Sequence, residues 1–366
     1  MCRKAAHDRI FPSPLTYRSL LLRIELALDS SSYWVMHKLG FGSYATVWLA
    51  EKTDAPRAFV ALKIATADGL STKEAECLRM VQRQPSSHIL TLADVFEMQG
   101  PNGVHTVLVT DVAAPVLSLL SSPRTVSWCK KVAYDLANAV AQLHASGIVH
   151  GDLYLGNVGI AMPQHAEQDP EDVMQDLDSY ELTVVLPTDP KSLLPSLPAY
   201  LVVPCDMAAY YDRIAEMDDP QAKIFDFGSG RAVPSKPQRK CALEACAPET
   251  AFARTVGKVE NPTMEPPADV WALGTMIYEI MYGSPLFRGL GMSALPAHMT
   301  HWSSTSLCDA AAWWNEHREQ LRKACADDED AEALVGLLRE VLVLDPLKRP
   351  SATEVCRDAW FRSIAA

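Results

Sequence analysis

The chain reads Ile148-Val149-His150-Gly151-Asp152-Leu153-Tyr154-Leu155-Gly156-Asn157 directly after a long amphipathic segment. The stretch places an amide side chain, Asn157, five residues after a carboxylate, Asp152. Phosphoryl transfer to a hydroxyl needs a carboxylate that orients the hydroxyl, and an amide oxygen can bind the metal ion that accompanies the phosphates. Asp152 could supply such a carboxylate and Asn157 such an amide oxygen, and we expect His150 to be a packed structural residue.

The segment before this loop has the pattern of a helix with one buried face. Between Thr125 and His144, apolar residues recur every three or four positions, and Thr125 is a suitable N-cap. Further along, residues 270–281 are almost entirely apolar, and residues 331–343 are amphipathic before Pro346. These patterns predict a mainly helical C-terminal region.

The N-terminal part has a different pattern. Residues 33–64 form short runs rich in Val, Trp and Leu, with interruptions at Gly40, Asp54 and Pro56. Such runs predict successive antiparallel strands. The chain is therefore expected to be an α+β protein in which a small β-rich lobe precedes a larger helical one.

The predicted organisation has four parts. We expect an N-terminal extension at residues 1–30, a small β-rich lobe at 31–112 and a larger, mainly helical lobe at 113–366. Within the second lobe, residues of about 161–221 are rich in Pro, Asp and Glu and show weak periodicity, apart from a strand-like run at 200–203. We interpret this stretch as an insertion.

A glycine-containing turn lies between two of the predicted strands. It reads Leu39-Gly40-Phe41-Gly42-Ser43-Tyr44-Ala45-Thr46-Val47. Backbone N–H groups at Gly40 and Gly42 could approach phosphate oxygens closely, because glycine has no side chain. By itself the pattern also fits an ordinary hairpin.

Two charged residues extend the pattern. Lys63 ends the run Val60-Ala61-Leu62-Lys63 on the third predicted strand, from which its ammonium group could reach nucleotide phosphates. Such a lysine needs an anionic partner, and Glu74 lies in the helix-like segment that follows, with Glu76 as the alternative. The later run Lys223-Ile224-Phe225-Asp226-Phe227-Gly228 delivers a carboxylate, Asp226, from an apolar strand to a turn, where it could bind magnesium.

In this order, these motifs resemble the eukaryotic protein kinase family over about residues 33–361. Three further segments agree. Ala247-Pro248-Glu249 is similar to the end of an activation segment, and Asp269-Val270-Trp271-Ala272-Leu273-Gly274 is similar to the helix that anchors the catalytic loop. In the family, an arginine at the position of Arg349 pairs with the glutamate at the position of Glu249.

The resemblance implies a bilobal kinase fold, with ATP and Mg²⁺ as cofactors. The implied catalytic residues are Asp152, Lys63 and Glu74, and the implied metal ligands are Asn157 and Asp226. The residues implied in nucleotide binding are Leu39, Gly40, Phe41, Gly42, Ser43, Val47, Ala61, Lys63, Asp111 and Ala113. The last two follow Thr110 at the positions of the family's hinge, where backbone groups bind adenine.

Within the family, the sequence is most similar to SR-protein kinases, especially divergent fungal ones, which phosphorylate serines of arginine/serine-rich proteins. The likeness rests on residues 38–44 with 47–50, on Gly100-Pro101-Asn102-Gly103, on the long spacer between the catalytic loop and Asp226 and on Pro267-Ala268-Asp269. The resemblance implies a serine/threonine kinase with a basic arginine/serine-rich protein substrate. We expect a monomer.

Three positions depart from the family pattern. Gly151 replaces the arginine that would pair with a phosphorylated activation segment, so we expect the segment from Asp226 to Glu249 to be held by its own packing. Tyr154 replaces a lysine that contacts the transferred phosphate, and Ala45 replaces a third glycine. The changes at Tyr154 and Ala45 leave open a weakly active enzyme or a pseudokinase scaffold that binds a nucleotide with little turnover.

A second alternative is a small-molecule phosphotransferase. The catalytic loop, His-Gly-Asp-Leu followed by Gly-Asn, also resembles that of aminoglycoside and choline kinases. Those enzymes lack both the Ala-Pro-Glu segment and the Asp-x-Trp-x-x-Gly helix, which this chain has, and this difference favours the protein kinase interpretation.

Composition narrows the function classes. The 366 residues are 48% hydrophobic and 21% charged, as in a folded chain, and no apolar run approaches the length of a membrane span. The net charge of −12 disfavours direct nucleic-acid binding and suits a basic partner. Nine cysteines without a CxxC pair favour a reducing compartment, the cytoplasm or the nucleus. The acidic cluster at residues 327–330 is interpreted as a solvated helix start.

Overall fold

The structure is a computed structural model that describes residues 23–24, 33–55, 57–67, 71–84, 86–100, 103–177, 181–186, 200–215, 219–232, 241–300 and 318–365. The predicted N-terminal extension lies outside the described residues except for Arg23 and Ile24. Pro101, Asn102 and parts of the predicted insertion also lie outside them.

The elements are mixed along the chain. The strands are β1 (Arg23–Ile24), β2 (Tyr33–Phe41), β3 (Ala45–Lys52), β4 (Phe59–Ala65), β5 (Leu92–Gly100), β6 (Gly103–Thr110), β7 (Ala113–Pro115), β8 (Ile148–Val149), β9 (Val158–Ala161), β10 (Leu182–Val184), β11 (Tyr200–Val202), β12 (Ala222–Ile224) and β13 (Arg231–Ala232). The main helices are α1 (Ser71–Val81), α2 (Val116–Leu119), α3 (Val126–Ala145), α4 (Pro170–Asp176), α5 (Met207–Ile214), α6 (Pro248–Thr255), α7 (Pro266–Tyr282), α8 (Asp328–Val341), α9 (Ala352–Cys356) and α10 (Arg362–Ala365). The predicted α+β class is confirmed.

The chain forms two compact units. The first contains the described residues within Met1–Leu78, Leu90–Ala114 and Ala161–Glu216. The second contains those within Arg79–Ile89, Pro115–Ile160 and Met217–Ala366. The division differs from the predicted boundaries, because most of the predicted insertion belongs to the β-rich unit instead of the helical one. The described residues within 79–89, which were predicted in the small lobe, belong to the helical unit.

The first unit is built around a six-stranded antiparallel sheet in the order β1-β2-β3-β4-β6-β5. Successive side chains of a strand point to opposite faces. Leu62 and Ile64 of β4 lie on one face, in the buried apolar cluster of the sheet. Ala61 and Lys63 therefore lie on the other face, and Val47 shares it because it is the direct cross-strand partner of Lys63.

The inserted segment packs on this sheet. Its strands β10 and β11 pair antiparallel, and Val202 of β11 contacts the apolar cluster. The backbone N–H of Cys205 donates to the carbonyl oxygen of Lys38 on β2 at 2.9 Å. The ring of His165 lies 4.2 Å from the ring of Phe59 on β4, measured between centroids. These contacts explain why the segment belongs to the β-rich unit.

The second unit is mainly helical. Helix α3 begins as predicted, because the side chain of Thr125 accepts a hydrogen bond from the backbone N–H of Trp128. It packs against α7 and α9. Helix α7 is buried over nearly all of residues 268–281, which explains why its sequence is apolar on every side. This helix supplies the base on which the catalytic loop rests.

The acidic cluster before α8 behaves only partly as predicted. Asp327 caps the helix by accepting from the backbone N–H of Asp330, and the intervening acidic side chains are exposed. Asp330 differs, because its carboxylate lies 2.6 Å from Nζ of Lys130 on α3 and only 9% of its side chain is exposed. One member of the cluster therefore forms a nearly buried ion pair between two helices.

Within the described ranges, no helix is both long enough and apolar enough to cross a bilayer.

Candidate active site

The first unit holds Lys63 in an ion pair. Its Nζ atom lies 2.7 and 2.8 Å from the Oε1 and Oε2 atoms of Glu74 on α1. The Glu74 side chain is 6% exposed, whereas the alternative partner, Glu76, is exposed on the same helix. A two-oxygen contact with a buried carboxylate fixes the position of the ammonium group on the face that also carries Val47 and Ala61.

The glycine-containing turn joins β2 to β3. The backbone N–H of Gly42 donates to the carbonyl oxygen of Ala45 at 2.8 Å, which closes the hairpin. A Cβ atom added at Gly40 or Gly42 would meet no protein atom within 4 Å. Packing within the protein therefore does not explain either glycine, whereas a nucleotide phosphate that approaches the backbone closely would.

Four more of the residues predicted to bind the nucleotide lie in this turn or beside it. Leu39 and Val47 are half-buried, and Phe41 and Ser43 are exposed. Ala45 is buried, so the position that departs from the family pattern is packed into the sheet.

The predicted hinge follows β6. Thr110 is buried and lies directly across from Ala61 on β4. The backbone N–H of Asp111 donates to the carbonyl oxygen of Thr91 at 3.3 Å, and the Asp111 carbonyl oxygen accepts from the Thr110 hydroxyl. Ala113 lies two residues further, at the start of β7.

In the second unit, one carboxylate organises the catalytic loop. Asp269 of α7 is 1% exposed, and its oxygens accept from the backbone N–H groups of His150 at 2.7 Å and Gly151 at 2.8 Å. The ring of His144 lies 3.1 Å from the same carboxylate. Gly151 has a φ angle of +76°, a conformation that glycine adopts without strain. This conformation gives a physical reason for glycine at the position of the family's arginine.

Strand pairing places Asn157 beside the residue that precedes Asp226. Strands β9 and β12 are antiparallel, with Val158 opposite Ile224, so Asn157, directly before β9, lies beside the residues that directly follow β12. The backbone N–H of Phe225 donates to the carbonyl oxygen of Asn157 at 3.0 Å. The amide nitrogen of Asn157 donates to the carbonyl oxygen of Asp152, so the amide oxygen is the atom presented to a cation.

Asp226 has a strained backbone. Its φ angle of +64° is in the left-handed region, which non-glycine residues rarely adopt. The next residue, Phe227, is fully buried and packs against the ring of His150, which is also buried, as predicted. The buried phenylalanine therefore compensates a conformation that turns the Asp226 backbone out of strand β12.

The donor set fits magnesium only in part. Within the described ranges, no group of three or more His, Cys, Asp and Glu side chains could hold a metal ion by itself. An amide oxygen and a carboxylate are hard ligands of the kind that Mg²⁺ prefers, and it commonly completes its octahedron with water and substrate phosphates. Asn157 and Asp226 therefore fit a magnesium ion that arrives with a nucleotide.

Tyr154 lies among three carboxylates. Burial raises the pKa of its hydroxyl, and the negative charges of Asp152, Asp226 and Glu244 raise it further. The hydroxyl is therefore a neutral donor where the family has a charged lysine. The ring also covers Gly156 so closely that a Cβ atom added there would overlap it.

Two contacts of the site were not predicted from the sequence. The backbone N–H of Ala242 donates to Oδ1 of Asp152 at 3.1 Å, and a neutral alanine carries no sequence signal for such a role. His144 was placed in the predicted helix as one of its last residues, but its contact with Asp269 was not foreseen. A histidine one helical turn before the catalytic loop could have suggested it.

The described residues between Asp226 and Glu249 contact other elements of the second unit. Strand β13 pairs with β8 at the start of the catalytic loop. Arg349 forms two hydrogen bonds with Glu249, at 2.9 and 2.7 Å, and its side chain is fully buried. The pairing implied by the family resemblance is therefore present. Residues 233–240 lie outside the described residues.

A family model described as protein kinase domain matches residues 33–166 and 214–361. The unmatched stretch between these ranges coincides with most of the segment that was interpreted as an insertion. The match covers well over half of the chain.

Curated relatives agree with the resemblance to SR-protein kinases. The protein kinase dsk1 of Schizosaccharomyces pombe is 36% identical over 151 residues, which are 37% of this chain and 28% of that protein. The serine/threonine-protein kinase SKY1 of Saccharomyces cerevisiae is 33% identical over 34% of this chain and 19% of that protein. The SRSF protein kinase 3 of Mus musculus is 36% identical over 23% of this chain and 16% of that protein.

These alignments span less than a third of each relative's length. The family model carries the assignment, because it matches both the β-rich region with Lys63 and the helical region with Asp152 and Asp226. The chain therefore belongs to the protein kinase domain family.

Proposed function

We propose that the chain is an ATP- and Mg²⁺-dependent protein serine kinase that acts on a basic, arginine/serine-rich protein. The observation that carries the proposal is the pairing of β9 with β12, which places Asn157 beside the residues that lead to Asp226. A turnover-free scaffold has no chemical need for an amide oxygen and a strained carboxylate at one strand end.

In the proposed mechanism, each residue has one task. Lys63, held by Glu74, neutralises negative charge on the nucleotide phosphates. The backbone N–H groups at Gly40 and Gly42 cover the phosphates. Asp152 orients the serine hydroxyl and accepts its proton, and the N–H of Ala242 fixes the carboxylate through Oδ1.

Asn157 and Asp226 would hold magnesium, which would supply positive charge that lowers the energy of the charge developing on the transferred group. Catalysis then comes from positioning and from charge neutralisation.

The proposed substrate class rests on three observations. Two relatives are fungal kinases that agree with the SR-protein-kinase resemblance, and another is named an SRSF protein kinase. The chain carries a net charge of −12, which suits a basic peptide. The pair of Arg349 with Glu249 accompanies a segment that small-molecule phosphotransferases lack, so a protein substrate is favoured over a small amine.

The test is magnesium-dependent transfer of labelled phosphate from ATP to an arginine/serine-rich peptide. Asp152→Ala and Asp226→Asn should each lower turnover by at least about 100-fold, because each removes an interaction made at the reacting group. A serine-free peptide should accept no label. Asp54→Asn changes an exposed aspartate to the same amide and should leave turnover unchanged.

Two outcomes would contradict the proposal. Full turnover in Asp226→Asn, with cooperative unfolding that shows an intact fold, would contradict the assignment of Asp226 as a metal ligand. Nucleotide binding without transfer to any serine peptide would support the pseudokinase alternative, which Tyr154 in place of lysine favours.

A further inference from the structure

Two cysteines before Ala247 lie side by side. The Sγ atoms of Cys241 and Cys246 are 2.8 Å apart, and both residues are free thiols. They flank a single 3-10 turn, Leu243–Ala245, which folds the chain back on itself. A disulfide has an S–S distance of about 2.05 Å, so a shift of less than about 1 Å would join them.

The environment of Cys241 favours reaction at its sulfur. The Nη1 group of Arg254 on α6 donates to the Cys241 sulfur at 3.0 Å. The hydrogen bond between the two sulfurs lowers the pKa of the Cys241 thiol, and the charge of Arg254 lowers it further, against the opposing effect of burial. Thiolates are the nucleophilic form of cysteine, and a cationic neighbour is a common feature of reactive ones.

Four other described cysteines have the opposite character. Burial raises the pKa of Cys129 and Cys356 to about 11 and the pKa of Cys205 and Cys325 to about 12. Cys246 is fully buried, so an external oxidant would meet Cys241 first. The two sulfurs therefore have different tasks, one as the attacking thiolate and one as the resolving thiol.

We propose that Cys241 and Cys246 form a reversible disulfide when the protein meets a hydroperoxide, and that this bond restrains the segment that contacts Asp152. The link to Asp152 is direct, because Ala242 follows Cys241 and donates its N–H to the Asp152 carboxylate. The disulfide also removes the ionisable thiol that Arg254 contacts. We expect the restrained segment to lower turnover. This expected loss of turnover rests on the proposed kinase function, whereas formation of the disulfide does not.

The chemistry has two steps. The Cys241 thiolate attacks one oxygen of the peroxide, the O–O bond breaks, and the products are a sulfenic acid and, after protonation, water (or an alcohol from an organic peroxide). The Cys246 sulfur then attacks the sulfenic sulfur, the S–O bond breaks, and hydroxide leaves with the Cys246 proton as water. For hydrogen peroxide, the sum is two thiols and one peroxide converted to one disulfide and two waters.

The first experiment is peptide mapping of the full chain after limited hydrogen peroxide and alkylation. The peptide that contains Cys241 and Cys246 should lose two hydrogen atoms, escape alkylation and regain both thiols with dithiothreitol. In Cys246→Ser, dimedone should trap a sulfenic acid at Cys241 because the resolving thiol is absent. The matched control Cys356→Ser should still form the disulfide. Faster oxidation at Cys205 or Cys356, or oxidation of Cys241 without a disulfide, would overturn the proposal.

The second experiment compares turnover of the reduced and oxidised protein. Turnover should be lost in proportion to the disulfide and restored in full by dithiothreitol, whereas Cys241→Ser should be insensitive to peroxide. Unchanged turnover in fully disulfide-bonded protein would overturn the restraint. A reduced protein without turnover would instead contradict the proposed function.

In that case, the alkylation rate of Cys241 would test the link to Asp152. Asp152→Asn removes a charge that raises the Cys241 pKa, so it should speed alkylation. An unchanged rate would count against the link.

Discussion

The catalytic loop and the inserted segment are held in place by different forces. In the loop, a buried carboxylate, Asp269, accepts two backbone N–H groups at 2.7 and 2.8 Å. In the insertion, the His165 ring packs against Phe59, and its Nδ1 atom lies 2.6 Å from the Tyr210 hydroxyl. Burial lowers the pKa of His165 to about 4, so the ring is neutral at pH 7.

The difference teaches which features a sequence can reveal. Charge-assisted hydrogen bonds to backbone groups require one residue type at one position, so Asp269 appears as a fixed motif. Apolar and aromatic packing tolerates many residues of similar size, so His165 and Phe59 carry no signal of their contact. The predictions below test this contrast.

The largest effect is expected from Asp269→Ala. The change leaves the backbone N–H groups of His150 and Gly151 buried without an acceptor, at about 1–3 kcal/mol each, so the free energy of unfolding should fall by about 4 kcal/mol. Urea unfolding measures the loss, and a turnover assay should show a parallel defect. Asp269→Asn keeps one acceptor oxygen and should lose about half as much. A loss below about 1 kcal/mol in Asp269→Ala would show that the loop does not depend on this carboxylate.

Much of the site follows from short-range patterns. Three features depend on neighbours within a few residues. They are the hairpin at Gly42, helix α3 with its cap at Thr125, and the strand that carries Lys63. The sequence predicts Glu74 as the partner of Lys63, with Glu76 as the alternative. In the structure the buried carboxylate of Glu74 on α1 forms the ion pair. Local periodicity carries this information because one helical face must be apolar and the other polar.

Contacts between distant segments were not accessible in the same way. The ion pair of Lys130 with Asp330 joins residues 200 positions apart. The contact of Ala242 with Asp152 uses only a backbone N–H, which every residue except proline has. The insertion was recognised by its composition, but its packing on the β-rich unit depends on shape, which composition does not encode.

A medium effect is expected from pH. The pKa of His165 is about 4 in the folded protein and 6.5 in the unfolded chain. Between these values the unfolded chain binds more protons, so the stability is fully present above pH 6.5 and falls as the pH drops towards 4. Between pH 7 and pH 5 the free energy of unfolding should fall by about 2 kcal/mol from this group.

Urea unfolding of the wild type and His165→Gln at both pH values measures this contribution. The variant should be less stable at pH 7, because it loses the ring contact, but should lose less stability on acidification. His298→Gln changes an exposed histidine and should keep the wild-type pH dependence. Burial also lowers the pKa of His88. Comparison of His165→Gln with the wild type therefore separates the contribution of His165 to the pH dependence from that of His88. Equal slopes for His165→Gln and the wild type would show that His165 is not buried in its neutral form.

The smallest effect is expected from Arg57→Ala. Arg57 and Asp169 form an ion pair at 3.4 Å between the sheet and the insertion, but their side chains are 54% and 47% exposed. Solvent screens such pairs, so the free energy of unfolding should fall by less than about 1 kcal/mol. Arg57 is the better member to change, because Asp169 also caps α4 by accepting from the N–H of Glu171. The prediction would be wrong if Arg57→Ala lowered the free energy of unfolding by more than this and added salt destabilised the wild type equally. Charge, instead of the packing around His165, would then hold the insertion on the sheet, and the contrast with the catalytic loop would disappear.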